Sequence, residues 1–163
     1  TWRNLLDLLA RVRLAPERCF FTNAYIGLKL GSSATGAFPG ARDPDFVRRC
    51  QALLAEEIRV MCPHVIATLG VYVPAFLASL APTVLTRWSS ARSLTALDKE
   101  HTSVVPSVVF PGCPEPVTLV ALTHPAYRRL NVQYRAYGDL RGDAAELRML
   151  LDALHGTPSP PSG

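Results

Sequence analysis

The sequence predicts an α/β fold: three α/β/α layers around a mostly parallel central sheet of about four strands. Three observations predict it. Apolar runs of strand length alternate with amphipathic stretches of helical period along the 163 residues. Those runs, "CFFTNAY", "HVIATLG", "SVVPSVVF" and "VTLVAL", are nearly continuous in apolar residues, as strands covered on both faces must be. Hydrophobic residues make up 48% of the chain against 18% charged, enough for one core. One domain is therefore expected over residues 1–155, with residues 156–163, "GTPSPPSG", as a disordered tail.

The elements follow in order. "TWRNLLDLLARV" sets Trp2, Leu5, Leu6, Leu9 and Val12 at helical spacing, with Leu8 widening the stripe. A helix already under way at the first residue, with no initiator methionine, reads as a fragment or a processed chain. Pro16 and Glu17 break the pattern, and residues 19–25 follow as a buried strand. A long loop with four glycines and two prolines, "GLKLGSSATGAFPGARDP", comes next; loops of that length are usually functional or mobile. Asp43-Pro44 reads as an N-cap with proline at the first helical position. The helix it opens points Phe46, Val47, Cys50, Leu53, Leu54, Ile58 and Met61 inward, and Arg48, Arg49, Glu56 and Arg59 outward. Pro63 ends it. "HVIATLG" is a second buried strand closed by Gly70, and "VPAFLASLAP" a short helix stopped by Pro82. Residues 83–100 carry no clear period. "SVVPSVVF" and "VTLVAL" either form an antiparallel pair across "PGCPEP", or the first is irregular because Pro106 interrupts it. "DLRGDAAELRMLLDALH" closes the domain as an amphipathic helix.

Composition narrows the function. Of 17 basic residues 15 are arginine and 2 lysine, and the net charge is +4. Arginine forks onto phosphate and stacks on bases, which suits nucleic acid; a GC-rich coding sequence gives the same bias. No apolar stretch reaches the roughly 20 residues of a membrane span. The four cysteines, Cys19, Cys50, Cys62 and Cys113, form no Cys-x-x-Cys pair, so reduced thiols of an intracellular, cytoplasmic protein are expected rather than disulfides or a zinc site. Nucleophile-elbow, Walker, dinucleotide-binding and His-Glu-x-x-His patterns are absent from the sequence.

In parallel sheets ligands bind at the carboxyl ends of strands, and two ends here carry polar groups. Asn23 follows one apolar run; its amide either reads the edge of a base or caps a turn. His124 follows another and leads into a basic loop, where a neutral imidazole either donates to a developing oxyanion or bonds a local carbonyl. Arg128, Arg129 and Arg135, interleaved with Tyr127, Tyr134 and Tyr137, read as a positive cluster for a phosphate backbone and unstacked bases, or as a solvated loop. Leu130 after two arginines reads as an exposed loop tip able to wedge into a base stack, or folds back onto the core.

Taken together, "CFFTNAYIGL", "RRCQALLAEEIRVMCPHVIATLG" and "LTHPAYRRLN" resemble the uracil-DNA glycosylase superfamily, in order and spacing, from Trp2 to about Leu154. "TN-A" resembles that family's strand-end asparagine motif. "THPAYRR" resembles its His-Pro-Ser motif and intercalating loop, with Ala126 in the serine position. The resemblance implies that Asn23 reads the Watson-Crick edge of a flipped uracil and His124 stabilises charge on the uracil O2. It implies that Arg128 and Arg129 grip phosphates and Leu130 fills the gap left by the extruded base. It implies no metal and no cofactor. Iron-sulfur members carry a cysteine four residues after the asparagine, where this chain has Gly27; Cys50 matches another cluster position, and no cluster is expected. The family's water-positioning loop precedes the first helix and does not occur in this sequence, so weak or no base release by the 163 residues alone is expected. The expected partner is DNA carrying uracil or a related damaged base, met by a monomeric chain away from any membrane. The alternatives are a non-catalytic DNA-binding or interaction domain of the same fold, and a nucleotide or phosphosugar enzyme using the glycine-rich loop.

Overall fold

The computed structural model describes residues 2–27 and 38–156 of the chain. Helix α1 (Trp2–Arg11) buries Leu5, Leu8 and Leu9 and leaves Trp2 outside. The strand predicted at residues 19–25 does not form, and Phe20 and Phe21 are exposed. A strand is held by bonds to a neighbouring strand, and no strand of the described sheet pairs with this segment. Most of the glycine-rich loop, residues 28–37, lies outside the described residues, as does the tail from residue 157.

Helix α2 (Pro44–Met61) starts as predicted, because the Asp43 carboxylate accepts from the N–H groups of Asp45 and Phe46 at 3.0 and 3.2 Å. Its inward stripe is narrower than the periodicity predicts. Cys50 and Ile58 are buried with Leu54 half-buried between them, while Leu53 and Met61 face out. Only one i, i+4, i+8 row of this helix meets the core.

Strand β1 (Val65–Leu69) follows, then α3 (Tyr72–Ala78), α4 (Thr86–Ser90) and α5 (Leu94–Lys99). The helices in the aperiodic stretch are too short for a period to register. Local chemistry holds them instead: Ser93 caps α5 by accepting from the Ala96 N–H at 3.1 Å, and the buried Trp88 indole donates to the Thr102 carbonyl at 2.7 Å.

Strands β2 (Val104–Val108) and β3 (Val117–Leu122) are antiparallel, and their register slips between Val105 and Val108, around Pro106. Both readings of that run therefore hold at once. Pro106 is tolerated because β2 is an edge strand in the order β1-β3-β2. β1 and β3 run parallel, Val65 opposite Thr118 through Leu69 opposite Leu122. The sheet thus has three strands and mixed pairing, which corrects the expectation of about four mostly parallel ones. The short "PGCPEP" connection decides the pairing of β2 with β3, since parallel neighbours need a crossover of a dozen residues or more.

The chain continues through a one-turn helix α6 (Arg128–Asn131), a two-residue hairpin β4 (Ala136–Tyr137) and β5 (Leu140–Arg141), and α7 (Gly142–His155). The hairpin is too short for sequence periodicity to reveal.

Helices pack on both faces of β3. Along β3, Val117, Leu119 and Ala121 enter a core with Ile58, Leu77 and Trp88, so α2 to α5 cover one face. Val120 and Leu122 enter a second core with Leu8, Val12 and Met149, so α1 and α7 cover the other. Full burial on both faces is why β3 shows no polar alternation. Each of those large apolar side chains contributes about 1.5–3 kcal/mol by leaving water. Among the described residues no helix is long and apolar enough to cross a membrane.

Candidate functional site

The central strand ends at Leu122 and delivers Thr123 and His124 to the edge of the sheet. Gly70, at the matching end of β1, donates its N–H to the Leu122 carbonyl at 2.8 Å, so both strand ends are locked level. Gly70 has φ +96°, and a Cβ there would stand 3.2 Å from the His124 Cβ. Glycine is required twice at this position, for backbone conformation and for room beside the histidine.

His124 caps a short 3-10 turn (Pro125–Tyr127): its Nδ1 accepts from the Ala126 N–H at 3.2 Å, and its carbonyl accepts from the Tyr127 N–H at 2.9 Å. An imidazole that accepts at Nδ1 carries its proton on Nε2, so the outward nitrogen is the donor. The Tyr127 ring lies 5.8 Å away, tilted by 46°. Partial burial holds the His124 pKa below the ordinary 6.5, which favours the neutral, donating form at neutral pH. Beside it, Thr123 is buried and its Oγ1 has no hydrogen-bond partner among the described residues.

Arg128 and Arg135, read from sequence as part of an exposed positive cluster, are both buried. Arg135 is 1% exposed; it donates from Nε and Nη2 to Asp98 at 2.9 and 2.8 Å, and from Nη1 to Glu146 at 2.7 Å. Arg128 donates to Glu146 Oε2 and, at 2.5 Å, to Asp143 Oδ1. The other oxygen of Asp143 meets Arg11 of α1 at 2.5 Å. Glu146 Oε1 also accepts from the Thr123 N–H at 2.5 Å. Six alternating charges, Asp98, Arg135, Glu146, Arg128, Asp143 and Arg11, therefore run behind the histidine turn. Periodicity in "AAELRMLLDA" carried a signal for this, because Glu146 falls on the same helical face as Met149, Leu150 and Ala153. An inward carboxylate on an apolar face requires cationic partners.

Two residues of the basic loop do stand outside. Arg129 is exposed, and Leu130 is 67% exposed at the turn of α6, with Tyr134 exposed beyond it. Burial of Arg128 between carboxylates separates it from these two: the loop presents one arginine, not two.

Asn23 is exposed in the irregular segment before Tyr25. Its neighbours fasten that segment: Phe21 packs edge-on against Trp2 at 4.9 Å, Thr22 donates to Glu57 at 3.2 Å, and Tyr25 packs against Phe38, Phe46 and Phe76. The Asn4 amide on α1 donates to the Pro125 carbonyl at 2.8 Å. Helix α1 therefore connects the Asn23 segment, through Trp2, with the His124 turn, through Asn4. Cys50 is buried in α2, and at Gly27 a Cβ would come within 3.0 Å of the Phe38 ring, so a cysteine there would force that ring to move. All four cysteines are free thiols, and among the described residues no three His, Cys, Asp or Glu side chains gather as a metal-binding group.

The His124 turn lies at the carboxyl end of the central strand of a covered α/β sheet, the place where α/β sheets commonly bind ligands. Comparison gives the family: the model of the uracil DNA glycosylase superfamily matches residues 3–141, and the chain belongs to that superfamily. No curated protein and no solved structure matches it significantly.

Proposed function

We propose that this chain binds DNA, accepts an extruded uracil or related damaged base at the carboxyl end of its sheet, and promotes hydrolysis of the N-glycosidic bond. The observation that carries the reading is the Nδ1 acceptance from the Ala126 N–H: it leaves the proton of the neutral ring on Nε2, on the side away from its own turn, as a donor. As the C1′–N1 bond breaks, its electron pair passes to the base, and the charge that collects on O2 is met by that donor. A water oxygen then bonds C1′ and sheds a proton; no residue of this chain is assigned to that water. Asn23 reads the edge of the base, Arg129 meets a phosphate, and exposed Leu130 occupies the stack vacated by the base. Arg128 is given a different part from Arg129: with its guanidinium between Glu146 and Asp143, it holds the loop that presents them.

Single-turnover release of uracil from single-stranded DNA, with protein in excess, tests the reading. Slow release is expected, falling by about 10²–10³ in His124→Ala, the loss typical of one oxyanion donor. DNA binding without release, unaffected by His124→Ala, would instead establish a non-catalytic DNA-binding domain.

A further inference from the structure

We propose that Glu146 is a positioning residue for His124, acting on both ends of the turn that carries it. The inference rests on the reading of His124 as the donor at the site. The two oxygens of one carboxylate divide between the flanks of that turn: Oε1 takes the Thr123 N–H before it, and Oε2 takes the Arg128 guanidinium after it. Only His124, Pro125, Ala126 and Tyr127 lie between. Asn4 pins the middle through the Pro125 carbonyl, so the turn is fastened behind at three points.

Glu146 itself cannot wander. It is fully buried on α7, and Arg135 holds its Oε1 from the far side while also clasping Asp98 and the Ala121 carbonyl of β3. Three carboxylates and three guanidiniums alternate along the chain of charges, so each buried ion faces its opposite. Well-packed apolar residues would fill such a space at no greater cost in stability. What a charged carboxylate adds is direction: it fixes the backbone on either side of the histidine, and with it the Nδ1 acceptance from Ala126 that places the proton on Nε2. A donor held in place before the reaction spares the reorganisation that a loose one requires. Glu146 lies beyond residues 3–141, the part that the family model matches, so the match assigns it no role.

The test uses the whole chain and does not depend on activity. In Glu146→Gln, the Thr123 amide should exchange with solvent about tenfold faster or more, for loss of one charge-assisted hydrogen bond. The nitrogen NMR shifts of the His124 ring should move from a single Nε2–H tautomer to a mixture, while thermal unfolding stays cooperative. A folded Glu146→Gln with both signals unchanged overturns the proposal. If that variant does not fold, Arg128→Lys, which keeps the charge but loses the fork, is read by the same two signals: movement supports the proposal and no movement overturns it. The catalytic reading stands or falls separately, on uracil release and its response to His124→Ala.

Discussion

At the scale of single residues, two small groups around the histidine have opposite prospects on substitution. Thr123 buries a hydroxyl that has no partner among the described residues, so Thr123→Val should raise stability by about 1 kcal/mol, measured by denaturant unfolding. A loss of stability would mean that the hydroxyl has a partner after all. Gly70→Ala goes the other way: φ of +96° and a Cβ 3.2 Å from His124 should cost about 1–3 kcal/mol. Base release should fall with it, because the methyl group presses on the His124 Cβ and shifts the ring that it carries. His124 and Asn23 were both visible in the sequence, as polar residues directly after apolar runs. The need for glycine at residue 70 was visible only as a strand end, since the crowding comes from a residue 54 positions later in the chain.

Adjacent arginines separate at the scale of the element. Arg129→Ala should leave the fold intact within about 0.5 kcal/mol, as exposed substitutions do. It should weaken DNA binding and lower the slope of log K against log salt by about one. Arg128→Ala should destabilise the protein by about 1–3 kcal/mol, because it leaves Glu146 Oε2 buried without its donor while Arg135 still holds Oε1. Equal behaviour of the two variants in unfolding would contradict the separation. Sequence reading could not divide them: periodicity says little about a one-turn helix, and charge alone points every arginine outward. Helix α7 was legible as an amphipathic helix, but it begins at Gly142 rather than Asp139, because Leu140 and Arg141 pair in the hairpin, and the meaning of its Glu146 required knowing what lay opposite. The segment at residues 19–25 shows the reverse case. Its composition is that of a strand, but a strand exists only with a partner.

For the molecule as a whole, the chain of charges ties α1, the histidine turn, the β4–β5 hairpin and α7 into one unit, and acid should release it from the Asp143 end. Burial raises the Asp143 pKa, but hydrogen bonds and charge from Arg128 and Arg11 outweigh it and leave it below the ordinary 3.8. A carboxyl whose pKa is lower folded than unfolded contributes stability that is present above 3.8 and lost as pH falls through the folded value. The thermal midpoint should therefore drop below pH 3.8 more steeply in the native chain than in Asp143→Asn. Parallel curves would show that this pair contributes nothing to acid stability. The α/β class, the capped α2, the apolar central strand and the placing of His124 at its end were all legible in the residues alone. These follow from local period, capping chemistry and chain order, which neighbours in sequence carry. The mixed pairing of the sheet, the loss of the first predicted strand and the division of the arginines into buried and exposed emerge only in the folded chain. Each of those depends on which distant group stands opposite, and for a charge or an unpaired backbone the free energy lies almost entirely in that partner.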